Sequence, residues 1–110
     1  MNLVACDPNA IPPEQRNRWE AIGRQVYTAV EEVRELPDGY RLRLPATSAM
    51  LRHVADYVSY ERLCCGFLRF QLEVEPASGP VWLQLTGPEG AKEYMRTVFA
   101  EASLGPTSET

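Results

Sequence analysis

Two adjacent thiols, Cys64 and Cys65, sit in the run Glu61-Arg62-Leu63-Cys64-Cys65-Gly66-Phe67, and a third cysteine, Cys6, lies close to the N-terminus. Neighbouring Cα atoms are about 3.8 Å apart, below the ~4.4–6.8 Å span of relaxed disulfides, so a Cys64–Cys65 bond would be strained and easily reduced. Consecutive side chains diverge by about 100° on a helix and point to opposite faces of a strand. The two thiols therefore converge on one ligand only where the backbone is irregular, and Gly66 is placed to supply that irregularity.

Convergent thiolates select soft ions such as mercury, trivalent arsenic, copper(I) or zinc. Two sulfurs suit a linear ion. Cys6, with its segment folded back, would complete a three-sulfur site that favours trivalent arsenic or mercury. A structural zinc site is disfavoured, because the chain has no Cys-x-x-Cys pair and His53 is its single histidine. Two other readings stay open. In one, a cysteine attacks an oxidised substrate and a second resolves the product, a thiol-redox function. In the other, the cysteines are packing residues of a non-catalytic interaction or regulatory module.

Glu61 joins the thiols as a candidate ligand or supporting group. At 100° per residue, Met50, Leu51, Val54, Tyr57 and Val58 form one apolar stripe that also contains Glu61 and Cys65. A carboxylate there is costly unless paired or used. It could accept the Cys65 proton, ligate beside sulfur, pair with Arg16, Arg18 or Arg69, or reach solvent at the helix end. Once ionised, it would raise the pKa of a neighbouring thiol.

No catalytic signature accompanies these residues, and neither catalytic nor cofactor-binding residues are assigned. A Cys/His dyad would need His53, which eleven helical positions place ~16 Å from Cys64. The run Thr86-Gly87-Pro88-Glu89-Gly90 lacks phosphate-loop spacing and reads as a strand-to-helix cap.

The elements that must position the thiols follow from periodicity. Pro12-Pro13-Glu14 opens a helix, and Trp19, Ile22, Val26, Val30 and Val33 have helical spacing. The far end of that series is ambiguous. A helix to about Gln25 followed by a strand through Leu36 best suits the turn Pro37-Asp38-Gly39 and the alternation Tyr40, Leu42, Leu44. Thr47 or Ser48 caps a second helix that runs to the cysteines. Leu68, Phe70, Leu72 and Val74 alternate as a half-buried strand, and Pro76 to Pro80 turns the chain into Val81, Leu83 and Leu85. Ala91, Tyr94, Met95, Val98 and Phe99 form the stripe of a third helix.

These elements predict a single α+β domain over 1–102 in the order αββαββα. It has a four-stranded antiparallel sheet with helices mainly on one face, and a flexible tail over 103–110. Phe67, Trp82 and Tyr27 would make the outer sheet face apolar enough for a homodimer. The chain has 110 residues, long enough for one core without disulfide or metal staples, so its cysteines should do more than reinforce. A net charge of -4, with 15 acidic against 11 basic residues, argues against nucleic acid or an anionic membrane as partner. No stretch approaches the ~20 apolar residues of a membrane span, and the N-terminus lacks a signal-peptide pattern. A cytoplasmic protein with reduced thiols is expected, and an odd cysteine count fits that better than a disulfide framework.

The run from Glu61 to Phe67, the run Gly79-Pro80-Val81-Trp82-Leu83-Gln84-Leu85-Thr86-Gly87-Pro88-Glu89-Gly90 and the upstream Leu36-Pro37-Asp38-Gly39-Tyr40 resemble a family of small uncharacterised bacterial proteins over nearly the whole chain. The Cys-Cys-x-Phe run and following hairpin are also similar to C-terminal segments of some MerR-type regulators, a group that includes metal sensors. The chain lacks their helix-turn-helix domain, and the family often carries proline where Gly66 stands here. The resemblance implies thiol and metal chemistry without a defined substrate.

Overall fold

The computed structural model describes residues 6–101, so the expected tail over 103–110 lies outside the described residues. Two short 3-10 turns, Pro8–Ala10 and Pro13–Gln15, lead into α1, Arg16–Thr28. The order continues with β1 (Glu32–Leu36), β2 (Gly39–Leu44), α2 (Ser48–Cys64), β3 (Arg69–Val74), β4 (Val81–Thr86) and α3 (Ala91–Glu101). The strands form one antiparallel sheet in the order β1-β2-β4-β3. This is the expected αββαββα arrangement. Among the described residues, no helix is long and apolar enough to cross a membrane.

The pairing register explains the core. Val33 lies opposite Leu42, Leu42 opposite Leu83, Tyr40 opposite Leu85 and Leu44 opposite Val81, so these side chains share one face. Against that face the helices bury Ile22 and Val26 from α1, Val54 and Tyr57 from α2, and Ala91, Met95 and Phe99 from α3. Gly39 has a specific reason to be there. A Cβ at this position would stand 1.8 Å from the Leu85 carbonyl oxygen, so only glycine lets the Pro37–Asp38 turn feed β2 onto β4.

Three expectations need correction. The first helix runs to Thr28 rather than Gln25 and β1 begins only at Glu32, because Val26 continues the buried face of the helix and Tyr27 meets Tyr57 of α2. On β3, Leu72 and Val74 are 41% and 53% exposed: they face the inner side, but the helical layer stops short of the end of this edge strand.

The third correction concerns the outer sheet face. Trp82 does lie there but is only 5% exposed, because Arg34 and Arg41 place their guanidinium carbons 4.9 and 4.3 Å from its ring centroid. Around it, Arg41 pairs with Glu73 at 2.9 Å, Arg43 with Glu31 at 3.2 Å, and Arg34 with Glu32. Tyr27 is elsewhere, whereas Phe67 reaches the end of this face, where it lines a pocket with the polar Arg69, Gln71, Gln84 and Thr86. Phe67 meets Tyr94 edge-on at 5.6 Å, and Tyr27 shares a 2.7 Å hydroxyl contact with Tyr57 between α1 and α2. The face expected to be apolar is a layer of ion pairs over one covered tryptophan.

Candidate thiol site

The α2 helix delivers both adjacent cysteines because it ends between them. Thr47 caps its start by accepting from the Met50 amide at 3.0 Å. Its last bond runs from the Cys65 amide to the Glu61 carbonyl at 2.7 Å, after which Cys65 leaves helical geometry at φ -112, ψ 69. The Leu68 amide then closes a turn onto the Cys65 carbonyl. The irregular residue is thus Cys65 itself, not Gly66, which takes no positive φ and whose added Cβ would have open space to 4.0 Å. As a result Cys64 Sγ lies 3.9 Å from Cys65 Sγ.

The N-terminal segment folds back across this helix end. The Asp7 amide donates to the Cys64 carbonyl at 2.8 Å, filling an acceptor that a helix terminus leaves open. Ile11 is fully buried and packs with Cys64 and Cys65, and Arg16 donates through Nε to the Ile11 carbonyl at 3.1 Å. These contacts bring Cys6 to the pair, and the three sulfurs lie within 4.8 Å of one another.

The expectation of three free thiols is corrected here. Cys6 and Cys65 form a disulfide with Cα atoms 4.4 Å apart, leaving Cys64 as the free cysteine. The odd count concealed this pairing, since an odd cysteine excludes only a fully paired set. No strained bond between neighbours is needed, because Cys6 approaches Cys65 from another part of the chain.

Glu61 sits beside the sulfurs, with Oε2 3.5 Å from Cys65 Sγ. In the disulfide form that sulfur has no proton to donate, so the contact becomes a hydrogen bond only after reduction. None of the anticipated arginines pairs with this carboxyl. Arg18 pairs with Asp56, Arg16 turns to Ile11 and Asn9, and Trp19 Nε1 instead donates to Glu61 Oε1 at 2.9 Å. Trp19 was legible only as an apolar helix position; its indole donor becomes visible once α1 crosses α2.

Burial raises the Glu61 carboxyl above its usual pKa, with hydrogen bonds from Trp19 and Tyr57 working against it. Burial also pushes the Cys64 thiol up to about 11, helped by Glu61 and opposed by the Asp7 amide. Tyr27 and Tyr57 are raised by burial too. The surroundings of the sulfurs therefore favour neutral groups.

A cavity of about 460 Å³ opens from the sulfurs between α1, α2 and α3. Cys6 and Cys64 form part of its wall with Glu61, Trp19, Tyr27, Tyr57 and Tyr94, whereas Cys65 does not reach it. His53 lies on another surface, beside Arg18, Arg52 and Asp56, and takes no part. The arrangement can do two things: in the reduced form three sulfurs can surround one soft ion, and in the oxidised form a thiol faces a disulfide. No protein-family model matches the chain, and neither curated proteins nor solved structures provide a match.

Proposed function

We propose that this protein binds a soft ion, trivalent arsenic, mercury(II) or copper(I), through Cys6, Cys64 and Cys65 in its reduced state. The observation that carries the reading is the convergence of three sulfurs within 4.8 Å from two distant parts of the chain. Metal–sulfur bonds of ~2.3 Å in a trigonal site place sulfurs about 4 Å apart, which matches the 3.9 Å between Cys64 and Cys65, while the bonded Cys6 and Cys65 sulfurs must move apart on reduction. Three sulfurs without a nearby imidazole suit three-coordinate ions better than tetrahedral zinc. Glu61 supports the site as the acceptor for a departing thiol proton or as an additional oxygen beside Cys65.

Because the segment that carries Cys6 is anchored by Asp7, Ile11 and Arg16, reduction leaves the third sulfur close to the pair. Native mass spectrometry of the reduced protein with one equivalent of arsenite, mercury(II) or copper(I) should give a 1:1 adduct. That adduct should weaken in each of Cys6→Ser, Cys64→Ser and Cys65→Ser. Adducts that persist in all three variants, or their absence from the parent protein, would overturn the reading.

The disulfide favours a second reading, thiol–disulfide exchange with an oxidised substrate. Attack by one thiolate of reduced Cys6 or Cys65 on a substrate disulfide would form a mixed disulfide and release one substrate thiolate. The other cysteine would then resolve it, giving the observed bond and the second substrate thiolate. Oxidised glutathione should then be consumed stoichiometrically by the reduced protein and not by Cys65→Ser. Equal consumption by both would remove this reading.

A further inference from the structure

We infer that the site takes its soft atom with an organic group attached: a monoaryl or bulky monoalkyl arsenic(III) compound, held by Cys6 and Cys64 with the organic group in the aromatic cavity. This deepens the soft-ion reading and rests on it.

A bare ion needs only the space between three sulfurs. Here the sulfurs open onto a solvent-open cleft of about 460 Å³, within the size range of small-molecule pockets. The walls suit an apolar group. Trp19, Tyr27, Tyr57, Tyr94 and Val98 line the cleft, and its lining includes no lysine. Glu20 and Arg24 at its edge are exposed rather than inward, and the inward carboxyl, Glu61, is held by the Trp19 indole beside the sulfurs.

The division of the sulfurs matches the valence of such a compound. Cys6 and Cys64 belong to the cavity wall, while Cys65 is 1% exposed and lies behind it. Inorganic trivalent arsenic has three exchangeable positions and can use all three thiols. An organoarsenic(III) compound, R–As(OH)₂, has two, the third being its As–C bond. After a phosphine reductant has opened the Cys6–Cys65 bond, R–As(OH)₂ condenses with the Cys6 and Cys64 thiols. Two As–O and two S–H bonds break, two As–S bonds form, and two waters leave. Arsenic stays trivalent, its As–C bond stays intact, and R points into the aromatic space.

The test uses phosphine-reduced protein and three probes: phenylarsonous acid, methylarsonous acid and arsenite. The phenyl compound should bind at least about tenfold more tightly than the methyl compound, which uses the same two thiols but leaves the cavity unfilled. Cys65→Ser should keep phenylarsonous acid within about threefold while weakening arsenite at least about tenfold. Val98→Trp, which fills the cavity, should weaken the phenyl compound about tenfold and leave arsenite unchanged. NMR contacts between the bound phenyl protons and the Trp19 and Tyr94 rings provide a readout in the unmutated protein.

Arsenite binding that depends on the cysteines, with no phenyl preference and no such ring contacts, would overturn this inference and leave the soft-ion reading standing. Failure of all three probes would overturn both. Loss of phenylarsonous acid binding in Cys65→Ser would overturn the assignment of Cys6 and Cys64 as its ligands.

Discussion

Cys64 is the free thiol of the cluster, and it is 4% exposed with its pKa pushed up to about 11 by burial. Such a thiol is a poor spontaneous nucleophile, so alkylation of the oxidised protein by iodoacetamide should be slow at pH 7 and accelerate through about pH 11. A rate already at its plateau by pH 8 would show that burial does not control it. Soft-ion binding tolerates this chemistry, since the ion displaces the proton and supplies the stabilisation that water withholds.

Glu61 gives the second residue-scale prediction. Its pKa is raised in the folded protein by burial, so the neutral form suits the fold better than the ion. Its contribution is fully present below the ordinary carboxyl value near 4.5 and is lost as pH rises through the higher folded value. Glu61→Gln should therefore match the parent protein in melting temperature near pH 4 and exceed it progressively toward pH 8. A constant difference across that range would place the carboxyl outside the buried layer. From sequence, this residue stood out as a charge on an apolar stripe, which was sound. Its partners were not legible, because Trp19 lies 42 positions away on another helix.

At the scale of elements, the site is the meeting of one helix end with one returning segment. The α2 terminus was readable from Thr47, the apolar stripe and Gly66, and the helix does stop at Cys64. What turns Cys65 is the turn closed by Leu68, with Asp7 bonded across to the Cys64 carbonyl. Ile11 anchors that crossing segment, and its truncation tests whether anchoring matters. Ile11→Ala should cost about 2–5 kcal/mol of stability, and in the reduced protein it should lower arsenite affinity by freeing Cys6. A destabilised variant with unchanged affinity would mean that Cys6 does not depend on this contact. On the sheet, alternation placed Trp82 on the outer face correctly, yet could not show that Arg34 from β1 and Arg41 from β2 converge on its ring. Facing is local; cover comes from neighbouring strands.

Across the whole molecule, the Cys6–Cys65 bond closes a loop with a sequence separation of 59. In the chain-entropy picture, closing such a loop in the unfolded chain stabilises the fold by up to about 4 kcal/mol. Reduction by a phosphine should therefore lower the melting temperature, and one equivalent of arsenite or mercury(II) added to the reduced protein should restore part or all of that loss, as ligands that bind only the folded form do. Reduction without any shift would mean that the bond does not constrain the unfolded chain. No recovery with either ion would count against the metal site. Ion and disulfide compete for the same sulfurs, so binding should also slow reoxidation.

The amino-acid sequence by itself determined the alternation of helices and paired strands, because apolar periodicity and turn residues act over a few positions. It also determined that Cys64, Cys65 and Glu61 would share one helix end. Only the tertiary structure decided that Cys6 joins them, that it bonds Cys65 rather than standing free, and that an aromatic cavity opens beside Cys6 and Cys64. The physical reason is one of range. Helix and strand preferences arise from bonds between near neighbours, whereas the sulfur cluster and its cavity exist only where α1, α2, α3 and the N-terminal segment pack together.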